Sequence, residues 1–85
     1  LIVVWKPRAS YVDAARMKGV QGTFQMRCIF SEDGFIPRVE FIKILPEGLA
    51  RQTLFALLRM KFLPREKDGK PVSSERIVEY QFTLY

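Results

Sequence analysis

Between positions 23 and 28 the chain alternates, Phe24, Met26 and Cys28 apolar and Thr23, Gln25 and Arg27 polar, and Phe30 continues the apolar phase. A period of two is the signature of a strand with one face buried. Ser31-Glu32-Asp33-Gly34 then supplies turn chemistry, Gly34 being free to take positive φ, and a second β-prone run follows over residues 35–44. The pair predicts a hairpin. Pro37 has no N–H to give a ladder, which predicts that the second strand lies at a sheet edge. After Leu45-Pro46-Glu47-Gly48 the period changes. Leu54, Leu58 and Phe62 recur at i, i+4 and i+8, flanked by Phe55 and Leu57, and predict the main helix over residues 49–62. Arg59 and Lys61 suit its carbonyl end, and Pro64 forbids continuation. Over residues 74–85 alternation returns, with Val78, Tyr80, Phe82 and Leu84 opposite Ile77, Glu79, Gln81 and Thr83, which predicts a long last strand.

Ahead of the hairpin, Val12, Ala14, Ala15 and Met17, with Asp13 in front and Arg16 and Lys18 behind, predict two turns of helix aligned with the helix dipole. Ser10 and Asp13 resemble a capping box, and Gly19 suits the left-handed position after the last turn. The chain enters through the short apolar run Leu1-Ile2-Val3-Val4-Trp5. Residues 5–10 are polar, contain Pro7 and predict an extended surface lead-in. Arg59, Lys61, Arg65, Lys67 and Lys70, interrupted by Glu66 and Asp68, predict a solvated helix exit and loop ending in the turn Asp68-Gly69-Lys70-Pro71. The order is helix, hairpin, helix, strand, without internal repeats.

At 85 residues this pattern accommodates one domain and no second core. Its abrupt opening predicts a domain, residues 1–85 with 1–10 as lead-in, excised from a longer protein. Cys28 has no partner for a disulfide, and without His or a second Cys the common zinc patterns fail. The missing His also removes the most frequent general acid and base, so no enzyme and no cofactor is expected. A net charge of +5 favours anionic partners: nucleic acid, an anionic lipid surface or an acidic polymer. No stretch nears the ~18 apolar residues that span a bilayer. Cys28 reads as a buried small hydrophobe, Asp33-Gly34 and Asp68-Gly69 as turns rather than calcium loops, and Phe24, Phe55, Phe62 and Phe82 as core.

In order along the chain stand Tyr11-Val12-Asp13-Ala14-Ala15-Arg16, Gly19-Val20-Gln21-Gly22-Thr23, Asp33-Gly34, Leu49, Arg59-Met60-Lys61-Phe62-Leu63-Pro64, Asp68-Gly69-Lys70-Pro71-Val72 and Tyr80-Gln81-Phe82. This succession, from about Lys6 to Tyr85, resembles the TonB C-terminal domain family. Each piece is common by itself, and their ordered occurrence carries the likeness. Two positions depart from it: the family's Tyr-Pro is Tyr11-Val12 here, and its habitual Trp in the basic motif is Met60.

The resemblance implies an α+β fold, a three-stranded antiparallel sheet with two helices packed on one face in the order α-β-β-α-β, the last strand lying beside the hairpin's first. Such a last strand has a free edge whose unpaired N–H and C=O groups form a template for an added strand. By the same likeness the domain is a periplasmic part of an energy transducer anchored to the inner membrane. It captures an extended N-terminal peptide of an outer-membrane transporter and transmits force from an inner-membrane motor of the ExbB/ExbD type. Ser74, Glu75, Arg76, Ile77, Val78 and Glu79 are the expected edge residues, Arg76 and Glu79 adjusting register, with Arg8, Ser10 and Tyr11 of the lead-in against the peptide. Proline at Val78 interrupts capture if that N–H points outward. Peptidoglycan and a second copy of the chain are further expected partners. The competing readings are an envelope adaptor or sensor of the same fold without force transduction, and a small basic nucleic-acid-binding domain. The latter is not expected, because the aromatics fall on the apolar face and the ribonucleoprotein motif is absent.

Overall fold

A computed structural model describes residues 1–83. Its elements are β1 (Ile2–Trp5), α1 (Asp13–Met17), β2 (Gly22–Phe30), β3 (Arg38–Lys43), α2 (Leu49–Leu58), β4 (Lys61–Leu63), β5 (Arg65–Lys67), β6 (Lys70–Val72) and β7 (Ser74–Phe82). The main sheet is antiparallel in the order β3-β2-β7. Strand β2 is central, and its alternation is reproduced in space: Phe24, Met26, Cys28 and Phe30 are buried together with Val78, Tyr80 and Phe82 of β7. Ala15 of α1 and Leu49, Ala56 and Leu57 of α2 complete that core, so both helices cover one face. The other face is open and largely polar, with Ile29 and Ile77 set among its charges. There Arg27 bridges Glu40 of β3 (3.5 Å) and Glu75 of β7 (3.3 Å), and Gln25 donates to the Glu79 carboxylate at 3.3 Å.

Helix α2 is shorter than its sequence pattern predicts. The buried stripe is Leu49, Thr53, Ala56 and Leu57, while Phe55 and Leu58 are exposed. The reading through Leu54, Leu58 and Phe62 anchored the stripe on a residue outside the helix, for Phe62 belongs to β4 and is buried from there. The Arg59 and Met60 amides bond the carbonyls of Ala56 and Leu57 at 3.2 and 3.1 Å, tightening the last turn so that the chain leaves as a strand. That strand, β4, pairs with β1, so the apolar entry is part of a two-stranded ribbon rather than a bare lead-in. The basic segment beyond it is likewise structured. Asp68 (φ 54°) and Gly69 (φ 76°) form a two-residue turn between Lys67 and Lys70, the left-handed pair that a tight hairpin requires.

The first helix corrects a smaller expectation. Val12, not Ser10, is its N-cap, and no side chain caps it, so the Ser10–Asp13 box does not form. Val12 has φ −65°, the angle a proline ring imposes, so the departure from Tyr-Pro keeps the entry geometry. Gly19 closes the helix at φ 67°. Strand β3 begins one residue after Pro37 and lies at the sheet edge, as the missing N–H demands. Met60 is buried where the family favours Trp.

Two core groups make stability fall in alkali. Burial pushes the Cys28 thiol from 9.0 to about 11 and, with the nearby Cys28 charge adding to it, the Tyr80 phenol from 10.0 to about 12. Below pH 9 both the folded and unfolded chains hold these protons. Between about 9 and 12 the unfolded chain releases protons that the folded one keeps, so it binds fewer and stability declines as pH rises. The expected loss is on the order of 2 kcal/mol per group. Urea unfolding at pH 8 and pH 11 checks it, and Cys28→Ala is expected to flatten the profile.

Candidate peptide-docking edge

Strand β7 pairs along its whole length with β2, from Gly22 opposite Phe82 to Phe30 opposite Ser74. Among the described residues no strand lies on its other side. Which backbone groups face that border follows from one contact: the Lys6 ammonium, arriving from the lead-in, donates to the Glu79 carbonyl. The N–H and C=O of one strand residue point to the same side, and successive residues alternate. The register with β2 is unbroken. Glu75, Ile77, Glu79 and Gln81 therefore present their amides and carbonyls outward, and Ser74, Arg76, Val78, Tyr80 and Phe82 direct theirs to β2. The Val78 N–H is thus committed to the sheet, and the condition attached to a proline there is not met. Ile77 is the corresponding outward position.

The lead-in is held against the far end of this border. Pro7 is buried, the Tyr11 hydroxyl donates to the Val20 carbonyl, and the Tyr11 ring meets Phe82 edge-on at 5.2 Å. Lys6 also lies over the Tyr80 ring, 4.5 Å from its centroid. An open cleft of about 670 Å³ results, walled by Lys6, Arg8 and Tyr11 on one side and Glu79, Gln81 and Phe82 on the other.

The residues expected from sequence divide accordingly. Arg8, Tyr11 and Glu79 come together at the cleft, whereas Ser10 is exposed and does not line it. Ser74, Glu75, Arg76, Ile77 and Val78 continue the strand beyond the cleft, only Glu75 and Ile77 with outward backbone groups. Arg76 and Glu79 cannot act alike on register: strand alternation sets their side chains on opposite faces, and the Glu79 carboxylate accepts from Gln25 on the open face. Lys6 and Gln81 were missed. Their place depends on a contact across 73 positions, for which local periodicity holds no signal.

Among the described residues the small antiparallel sheet has a helix-covered face, an open, largely polar face and unpaired outer borders on β3 and β7, that of β7 beside the anchored lead-in, an arrangement suited to protein interaction by strand addition. The chain belongs to the family described as the Gram-negative bacterial TonB protein C-terminal, whose model matches residues 7–84. Members of that family are envelope proteins of energy-dependent transport and bind outer-membrane transporters. The solution structure of the Pseudomonas aeruginosa TonB C-terminal domain is similar in fold, with a TM-score of 0.76 at 20% identity over 96% of this chain and 84% of that one. No curated protein matches the chain.

Proposed function

We propose that this domain captures an extended peptide from the N-terminal region of an outer-membrane transporter by adding it as a strand to the outward border of β7. The observation that carries the reading is the row Glu75, Ile77, Glu79 and Gln81, unpaired by any strand among the described residues and already accepting a donor from the lead-in at the Glu79 carbonyl. Backbone pairing supplies affinity. It also suits load, because a row of parallel hydrogen bonds shares tension. In this reading the domain is the periplasmic end of a longer transducer coupled to an inner-membrane motor. The open face, carrying Gln25, Arg27, Glu40, Glu75 and Glu79 instead of aromatic rings, gives no support to single-stranded nucleic acid as the ligand.

An added strand competes with Lys6 for the Glu79 carbonyl, which the ammonium now occupies on that border. Lys6→Met is therefore expected to bind an uncharged extended peptide roughly two- to tenfold more tightly than the wild type, by removing a competing charged hydrogen bond. Titration of labelled protein with short transporter-derived peptides, followed by NMR, measures both the affinity and the place of binding. Shifts confined to β7 and residues 6–11 support the proposal. Saturable shifts on β3 or α2 instead, or no response to any such peptide, refute it.

A further inference from the structure

The ribbon β1–β4 has a face that the peptide reading does not use. Ile2 pairs with Leu63, Val3 with Phe62 and Trp5 with Lys61, the register slipping at Val4. Partners across an antiparallel pair share a face, and β4 alternates. Val3 and Phe62 therefore share one face, on which Phe62 is buried and Val3 is 44% exposed, and Ile2, Leu63, Trp5 and Lys61 share the other, outward face. Without the bulge, Trp5 would fall with Val3 and Phe62. The slip gathers three large apolar side chains where water reaches them: Ile2 is 62% exposed, Trp5 46% and Leu63 54%, and the bulged Val4 beside them is 63% exposed.

The charge around this face has one sign. Residues 1–6 and 59–63 contain Lys6, Arg59 and Lys61 and no acid. The Arg59 guanidinium lies over the Trp5 ring, 5.7 Å from its centroid. Only Pro64 separates β4 from the hairpin β5–β6, which adds Arg65, Lys67 and Lys70 against Glu66 and Asp68. Arg59 and Lys6 are engaged with the Trp5 and Tyr80 rings, whereas Lys61, Arg65, Lys67 and Lys70 are without an ion pair or ring contact among the described residues.

We propose that the outward face of the β1–β4 ribbon seats the domain on an anionic phospholipid surface, with the basic hairpin contacting headgroups. Of the anionic partners that the net charge admits, nucleic acid and acidic polymers explain the cations but leave Ile2, Val4 and Leu63 in water. A bilayer interface takes both, since it accommodates an indole, buries short aliphatic side chains at its acyl boundary and draws lysines and arginines to its headgroups. The ribbon face is made by β1 and β4 and the peptide border by β7, with Lys6 alone reaching from the first segment to the second.

Trp5 is the only tryptophan and reports on its own face. The 85-residue chain is mixed with vesicles of phosphatidylcholine, alone or with phosphatidylglycerol, while Trp5 emission and co-sedimentation are followed. The expected result is a blue shift and co-sedimentation with the phosphatidylglycerol vesicles only, both reversed by salt. Val4→Asp, at an exposed bulge, is expected to abolish the blue shift, and the exposed double variant Lys67→Glu/Lys70→Glu to weaken binding roughly tenfold or more. Circular dichroism confirms that both variants fold. Three results would overturn the proposal: no binding to phosphatidylglycerol vesicles at low salt; binding with Trp5 emission unmoved, which describes adsorption of charge alone; or a vesicle-independent blue shift that grows with protein concentration, which assigns the face to a second copy of the chain.

Discussion

Ile77→Pro is expected to weaken capture of an extended peptide by roughly tenfold or more while the sheet persists, because it deletes one outward N–H and sets a pyrrolidine ring against the incoming strand. The neighbouring substitution behaves in the opposite way. Val78 is buried and its amide faces β2, so Val78→Pro removes a ladder bond within the sheet and is expected to destabilise the fold by ~3 kcal/mol or more. Calorimetric titration of a transporter-derived peptide, set beside urea unfolding of both variants, separates the two effects. Loss of binding without loss of fold at position 77 only is the expected pattern. Equal consequences at 77 and 78 would mean that the alternation derived from the Lys6–Glu79 contact is misassigned.

Phe24→Ala is expected to cost ~3–5 kcal/mol, the range for removing a fully buried phenylalanine. Phe24 is 0% exposed, and its ring meets Phe82 at 5.9 Å and Phe41 at 6.2 Å, both edge-on. It thereby couples the central strand to both of its neighbours. A small domain has total stability of only about 5–15 kcal/mol, and one of this length lies toward the lower end, so the variant is expected to be partly unfolded at ambient temperature. The urea midpoint should fall steeply with the slope unchanged. A midpoint within error of the wild type would show that the cavity is refilled and that Phe24 is not the hub of this core.

What the sequence revealed follows the range of the interactions involved. Strands β2 and β7 were legible because Phe24, Met26, Cys28 and Phe30, and Val78, Tyr80 and Phe82, keep an apolar residue at every second position. The edge position of β3 was legible because Pro37 removes a donor whatever its surroundings. The end of α2 was not, since Leu54, Leu58 and Phe62 satisfy a helical spacing as well as Leu49, Thr53, Ala56 and Leu57 do. The choice was made by β1, whose pairing draws Lys61–Leu63 out of the helix from 56 positions away and more. The candidate edge was half legible: Arg8 and Tyr11, expected from the lead-in, do line the cleft beside β7. Which amides point outward depends on pairing parity, and position 78 was the wrong one to test. Lys6 was invisible for the same reason as β1: its partner is remote in sequence, and an exposed lysine in a polar run carries no mark of its contact.

Strand addition requires the outward amides of β7 to be free in the isolated domain and paired in the complex, and amide hydrogen exchange reads them one at a time. In the free protein the amides of Glu75 and Ile77 should exchange quickly while those of Arg76 and Val78, bonded to β2, are protected. Saturating peptide should slow Glu75, Ile77 and Glu79 and leave Arg76 and Val78 as they were. Protection of the odd-numbered amides before any peptide is added, or their continued rapid exchange with the peptide bound, would contradict strand addition at this border.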